Sequence, residues 1–470
     1  MEADAQAAES QVDKSPTKDE ALKHAIHAAE LYMKVTKLAS TDTEQTRLRG
    51  KCKQLLSRAE EIKKAAQWTP VVSKEVLLKA PVSGRQISKK EEVILLEGSK
   101  LHGFIFPPWT NEPNESLFRS TPAEPPFYTE PADLKLSDAQ REIFAGWRRP
   151  HEGVNPISDE DLTFSVEELD LVQDITTDCS VVASLCAASA RAGKGHGLLL
   201  PTTMYPFDRQ KFRPQVSKNG KYIFRLHFNG CFRKVTIDDR LPASNTSRCL
   251  HVIDRNNPNL LWPALIEKAY LKVRGGYDFP GSNSGTDLWV MTGWIPEQVF
   301  LQNDDLQPEL LWQRILNSFG YGDVLVTLGT GKLSLKEERE LGLAGEHDYA
   351  VLDMKEVGSQ RLLLVKNPWC DGMVWKGKVF IPEDSSAGSW TQDLREALPD
   401  NNTLKPGTFW MNLEAVVQHF ESLYLNWNPG LFKYRQDHHF SWSIPTMKNP
   451  GSFIHNPQHS LKSSKAGTVW

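Results

Sequence analysis

The chain has 470 residues, which at roughly 100–200 residues per domain favours two to four folded units and excludes a single small module. Its 55 Lys+Arg against 59 Asp+Glu leave a formal net charge of -4, so no global field exists to hold nucleic acid or an anionic membrane. Met1 to Ser10 lacks a basic stretch and an apolar run, and no segment approaches roughly 18 consecutive apolar residues. The expectation is a chain of the cell interior without a transmembrane segment. The six cysteines show no paired C-x-x-C spacing for zinc or redox work, and disulfides are not expected in that compartment.

Thr17-x-x-Glu20 reads as a capping box, and Leu22, Ile26, Ala29 and Met33 follow it at helical spacing. Thr41-x-x-Glu44 offers a second start, followed by the stripe Leu48, Cys52, Leu55, Ala59 and Ile62. Residues 1–68 are therefore expected to form a small helical unit built on a hairpin. From 69 to 136 the pattern dissolves, and seven prolines between Pro107 and Pro131 predict a linker or an extended wrapping segment. Residues 137–428 read as one α+β block and 429–470 as a polar tail. Asn229-Gly230 between Tyr222–Phe228 and Phe232–Ile237 signals a tight hairpin, and Cys52, Cys186 and Cys231 sit in apolar patterns that read as core. A second hairpin is predicted from His347–Met354 and Arg361–Trp369, with 356–360 as its loop.

The midpoint of 347 and 367 is 357, inside that loop, so His347 and Asn367 should face each other across the strands, with Cβ atoms about 4.5–5.5 Å apart. An amide oxygen on one imidazole nitrogen fixes tautomer and ring plane, and such a ring can activate a thiol. Cys179 follows Thr176-Thr177-Asp178 and precedes Val181-Val182, which places it in the first turn of a helix, where free N–H groups and the helix dipole favour a thiolate. Gln173, six residues earlier, could join the Cys179 backbone N–H as an oxyanion hole. Cys179, Val182, Cys186 and Ser189 also share one helical face, so from spacing alone a nucleophile and a buried small hydrophobe both stand.

The stretch Gln173-Asp174-Ile175-Thr176-Thr177-Asp178-Cys179 resembles the cysteine motif of the calpain proteases. Trp147-Arg148-Arg149-Pro150, Ile237-Asp238-Asp239-Arg240-Leu241-Pro242, Leu261–Tyr270, Gly345-Glu346-His347-Asp348-Tyr349, Lys366-Asn367-Pro368-Trp369 and Phe409-Trp410-Met411 follow in the order of that family's core. The resemblance implies a papain-like core with a helical and an antiparallel β subdomain. It assigns Cys179 as nucleophile, His347 as base and then acid, Asn367 as its orienter and Gln173 as oxyanion donor, with Trp369 shielding the His–Asn bond. The chemistry then needs no cofactor. Asp170 and Glu267 match calcium-ligand positions of the family, but Val374-Trp375 stands where a Glu-Trp pair is expected, Ser180 where Trp follows the cysteine, and Asp174 and Thr177 where glycines stand.

The front of the chain is similar to the MIT module, chiefly over Gly50–Lys63, although Met1 to Lys14 has little of the periodicity of that module's first helix. This combination resembles the PalB-like calpain branch. It implies recruitment to ESCRT-III tails through residues 17–66, on endosomal or plasma membrane, with protein substrates and a role in fungal ambient-pH signalling through limited proteolysis. The alternative is a catalytically weak or inactive ESCRT-associated scaffold.

Overall fold

The computed structural model describes residues 2–12, 15, 18–39, 42–64, 80–121, 125–150, 169–192, 199–209, 213–377, 398, 404–442, 456–458 and 460. Three helices occupy the front: α1 (Glu2–Val12), α2 (Lys18–Leu38) and α3 (Asp42–Lys64). The α3 stripe Leu48, Cys52, Leu55, Ala59 and Ile62 is buried as its spacing predicts. The α2 stripe packs only in part: Ala29 is buried and Leu22 lies against the core. Ala21, Ala25, Ala28 and Tyr32 face inward, while Ile26 and Met33 are 43% and 46% exposed. Alanines let helices approach closely, so the packed face is mostly small, and a rule that weights large apolar residues misplaces Ile26 and Met33. For the same reason α1 forms despite its weak periodicity: Ala5, Ala8 and Val12 are buried, and Glu9 accepts from Tyr32 Oη at 2.7 Å and Lys51 Nζ at 2.9 Å.

Within the stretch expected as a linker, residues 80–121 and 125–136 lie against the body. Ser88 and Glu91 form a capping box that starts a further helix, α4 (Lys89–Glu97), and the tail returns to meet it, His439 N–H donating to Glu91 at 3.0 Å. The seam is held by Arg233, fully buried, whose guanidinium donates to the carbonyls of Leu95, Phe106, Phe228 and Asn229 and to Ser99 Oγ. Arg233→Leu leaves these acceptors without a donor in a dry site, so the unfolding free energy should drop by roughly 3 kcal/mol. Urea denaturation reads it, and an unchanged midpoint would remove the seam's importance.

Two lobes follow. The first contains α5 (Cys179–Ala192), the hairpin β1 (Lys221–Phe228) and β2 (Cys231–Asp238), α6 (Trp262–Arg274) and α7 (Ser284–Thr292), around one apolar core. Asn229 and Gly230 turn β1 into β2 at φ 45° and 85°, the positive values that Asn-Gly accepts. Cys231 is half-buried at the strand end instead of in the core, because the turn lifts it toward solvent. Twelve residues of α6, Trp262 to Val273, are buried; its Lys268 reaches Asp238 and its Lys272 reaches Glu130, so the charges on an otherwise internal helix are paired.

The second lobe is a six-stranded antiparallel sheet of β3 (Ile295–Phe300), β4 (Val324–Gly329), β5 (Asp348–Val357), β6 (Gln360–Lys366), β7 (Thr408–Asn412) and β8 (Ser422–Trp427), in the order β3-β8-β4-β5-β6-β7. Helices α8 (Pro308–Gly320), α9 (Leu335–Leu341) and α10 (Leu413–His419) accompany it, and a separate apolar core fills this lobe. Among the described residues no helix is long and apolar enough to cross a membrane.

The β5–β6 turn is tighter than the five-residue loop expected. Val357 pairs with Gln360 about Gly358-Ser359, and a bulge between Val351 and Asp353 then shifts the register by one residue. Mirror arithmetic about residue 357 therefore does not describe the ladder, which ends at Ala350 opposite Lys366. His347 and Asn367 meet just beyond that end, where their side chains are no longer constrained by regular pairing.

Candidate active site

Cys179 is the first residue of α5. Val181 and Val182 N–H both donate to the carbonyl of Asp178, which makes Asp178 the capping position. The Asp178 carboxyl does not cap the helix. It turns inward beside the carboxyl of Glu267, and complete burial raises both groups above the usual carboxylate range. The helix N-terminus is thereby left for the thiol, which lies within reach of the backbone N–H groups of Asp348 and Ser180.

His347 is buried at the start of β5. Thr330 Oγ1 accepts from its backbone N–H at 3.0 Å, and its Nε2 lies 2.8 Å from Asn367 Oδ1. Asn367, with no exposed surface, also accepts from Trp369 N–H at 3.0 Å and donates to the carbonyl of Met373 at 3.2 Å. The Trp369 ring lies over the imidazole with centroids 4.3 Å apart, covering the His–Asn bond. With Nε2 committed to Asn367, Nδ1 is the nitrogen available to the thiol. Cys179, His347 and Asp348 line one hollow of about 190 Å³ together with Ser282, Gly329, Thr330, Glu346, Glu421, Ser422 and Tyr424.

Gln173 is buried, and its backbone is stitched to the loop after Asn367: Gln173 N–H donates to Pro368 O at 2.8 Å and Cys370 N–H to Gln173 O at 3.0 Å. Its amide nitrogen donates to the carbonyl of Thr176, which aims the group at the turn before α5. The residues that replace glycines in this loop have found partners. Asp174 accepts from Arg248 Nε at 2.6 Å and Cys249 N–H at 2.8 Å, and Thr177 Oγ1 donates to Phe279 O at 2.6 Å. Ser180 is buried and accepts from Ser282 N–H at 3.2 Å.

Asp170 and Glu267 are not brought to a common site. The two oxygens of Asp170 receive Lys366 Nζ at 2.6 Å and Arg255 Nε at 2.8 Å, while Glu267 accepts from Val252 N–H at 2.8 Å and meets Asp178. A carboxylate already neutralised by two cations does not fit as a calcium ligand, and no group of three or more His, Cys, Asp or Glu side chains able to hold a metal occurs among the described residues.

Burial sets the electrostatics. It pushes the Cys179 thiol up to about 12 against the pull of the Asp348 and Ser180 N–H groups, and pushes the His347 imidazole down to about 4 against its bond to Asn367. The resting pair is thus a neutral thiol and a neutral imidazole, and reaction requires the thiol proton to pass to His347 as the sulfur attacks. Asp348, one residue from His347, is pushed up to about 8 by burial and by Asp287, and accepts from Ser284 N–H at 2.9 Å. Spacing within the His motif assigns Asp348 no role; its buried place at the α7 N-terminus comes from the fold alone.

Because folding lowers the imidazole of His347, the unfolded chain binds its proton first as the pH falls. The stability tied to the neutral ring is present above about 6.5 and lost toward about 4. A His347→Gln chain, which gains no proton there, should lose less stability across that window than the unsubstituted chain. Parallel denaturation midpoints at pH 7 and pH 4.5 would contradict the assignment.

A nucleophile at a helix tip in one lobe, with an imidazole held by a buried carboxamide in the other, is the arrangement of a papain-like cysteine protease. The model of the calpain family cysteine proteases matches residues 123–426, more than half of the chain, and the chain belongs to that family. It is 52% identical over 474 residues to the calpain-like protease palB/RIM13 of Aspergillus oryzae, covering 98% of this chain and 54% of that protein. It is 50% identical to calpain-like protease palB/cpr-8 of Neurospora crassa over 96% of this chain and 47% of the relative. Calpain-7 of Homo sapiens is 36% identical over 81% of this chain and 46% of its own length. The chain thus spans about half the length of the curated relatives it matches.

Proposed function

We propose that this chain is the catalytic part of a cysteine endopeptidase that performs limited proteolysis of regulatory proteins. The observation that carries the reading is His347 Nε2 at 2.8 Å from the buried Asn367 Oδ1, with the imidazole and Cys179 lining one cleft. In this reading Cys179 Sγ attacks the scissile carbonyl as its proton passes to His347 Nδ1. The Gln173 amide and the Cys179 N–H receive the oxyanion, His347 returns the proton to the leaving amine, and water releases the acyl group. Asn367 keeps the ring in one plane throughout.

The α1–α3 bundle serves as a MIT-like recruiting module for ESCRT-III tails, holding the protease peripherally at endosomal or plasma membrane from the cytoplasm. Recruitment raises local substrate concentration without adding catalytic groups. What supports it is the apolar pair Ile26 and Met33, which the alanine-lined packing of α2 leaves outside together with Leu56 of α3. In this reading the proteolysis serves ambient-pH signalling, as the resemblance to the PalB-like branch implies.

Two measurements test these parts separately. Alkylation of Cys179 by iodoacetamide should be faster in the folded chain than in urea and should depend on His347. Reactivity indistinguishable from the unfolded thiol would favour the scaffold reading, to which the neutral, buried resting pair lends support. Immobilised ESCRT-III tail peptides should capture the chain, and Ile26→Asp with Met33→Asp should weaken capture at least about tenfold; undiminished capture would remove the bundle from recruitment.

A further inference from the structure

The two lobes each contribute part of the site: Cys179 and Gln173 come from the first, His347 and Asn367 from the sheet. Their mutual placement depends on what joins the lobes beside Asn367. Lys366 is the last residue of β6 and immediately precedes Asn367. Successive side chains of a strand point to opposite faces. Asn367 turns to His347, and Lys366 turns the other way, into the first lobe, where its Nζ meets Asp170 Oδ1 at 2.6 Å.

Asp170 and Lys366 are 3% and 2% exposed, so this is an ion pair out of water. Arg255 closes it from the half-buried side, with Nε on Asp170 Oδ2 at 2.8 Å and another guanidinium nitrogen on the carbonyl of Pro406, in the sheet lobe, at 2.8 Å. Asp170 itself is pinned, its N–H donating to Asp254 Oδ1 at 2.8 Å. Three residues on, Gln173 exchanges backbone hydrogen bonds with Pro368 and Cys370. One short segment, 170–173, therefore carries both the anion that grips the strand of Asn367 and the amide aimed at the nucleophile's turn.

We infer that Asp170, Lys366 and Arg255 form an ionic latch that sets the Asn367–His347 pair against Cys179, with the chain's own cations in place of a bound metal. They are positioning residues, since none touches the reacting atoms. A buried carboxylate needs compensating charge, and both oxygens of Asp170 are compensated by groups from this chain. The lobes are thus joined in the working arrangement without a ligand, and calcium has no open carboxylate to bind there.

The inference rests on the protease reading, and one experiment separates the two. The second-order rate of Cys179 alkylation by iodoacetamide is measured across pH for the full chain, in EDTA and in calcium. The unsubstituted chain should react equally in both media. Lys366→Met should slow the reaction at least about tenfold and shift its pH midpoint, because the imidazole then loses its fixed plane, while Lys366→Arg should recover most of the rate. Asp170→Asn with Lys366→Met should be no slower than Lys366→Met alone, as two halves of one contact require.

Should Lys366→Met fail to fold, Arg255→Gln, a change on the latch's half-buried side, reads the same loss. Folded latch variants that react at the unsubstituted rate, or calcium acceleration of the unsubstituted chain, would overturn the latch. An unsubstituted chain no more reactive than in urea would overturn the protease reading instead.

Discussion

Cys179→Ala should eliminate cleavage of a protein substrate, a loss of roughly four orders of magnitude or more, since no other thiol lies in the hollow with His347. The fold should survive. Removing one sulfur from a partly exposed first helical turn opens no deep cavity, and α5 is anchored further along by Val181, Val182 and Leu185, all fully buried. Circular dichroism and thermal melting should match the unsubstituted chain while product formation, followed by electrophoresis, vanishes. Persistent cleavage by the purified variant would assign the chemistry to another residue.

Asn367→Ala should be nearly as severe for turnover while binding is spared. It removes the acceptor of His347 Nε2 and of Trp369 N–H together, freeing the imidazole to rotate and uncovering it to water. A loss of roughly 100- to 10,000-fold in kcat is expected, the range assigned to positioned acid–base groups, with KM changed little because no substrate contact is lost. If the loss appeared in KM instead, Asn367 would be shaping the cleft and not orienting the base.

The His347–Asn367 pairing was legible from two β-rich runs and a midpoint, yet the two residues meet through a different turn from the one that midpoint assumes. The two-residue turn at Gly358-Ser359 and the bulge at Val351/Asp353 displace the ladder in opposite senses relative to the five-residue loop assumed, and the pair forms where the ladder has already ended. Cys179 was legible only to the level of a first-turn cysteine; its helical face favoured the core, the usual place of a free cysteine, until the order of motifs decided. At the front, α3 followed its apolar stripe, whereas α2 packed on alanines that a hydrophobicity pattern undervalues.

The sequence by itself determined the local facts: that Asn229-Gly230 reverses the chain, and which side chains are chemically able to be nucleophile, base and orienter. These depend on neighbours within a few positions and on the intrinsic chemistry of each residue type. Only the tertiary structure decided that Asp170 faces Lys366 and Arg255 instead of a metal, that Asp178 is buried beside Glu267, and that burial keeps both Cys179 and His347 neutral at rest. Charge state and partner choice are set by desolvation and by groups 84 to 196 positions away in the chain, and neither can be read from spacing alone.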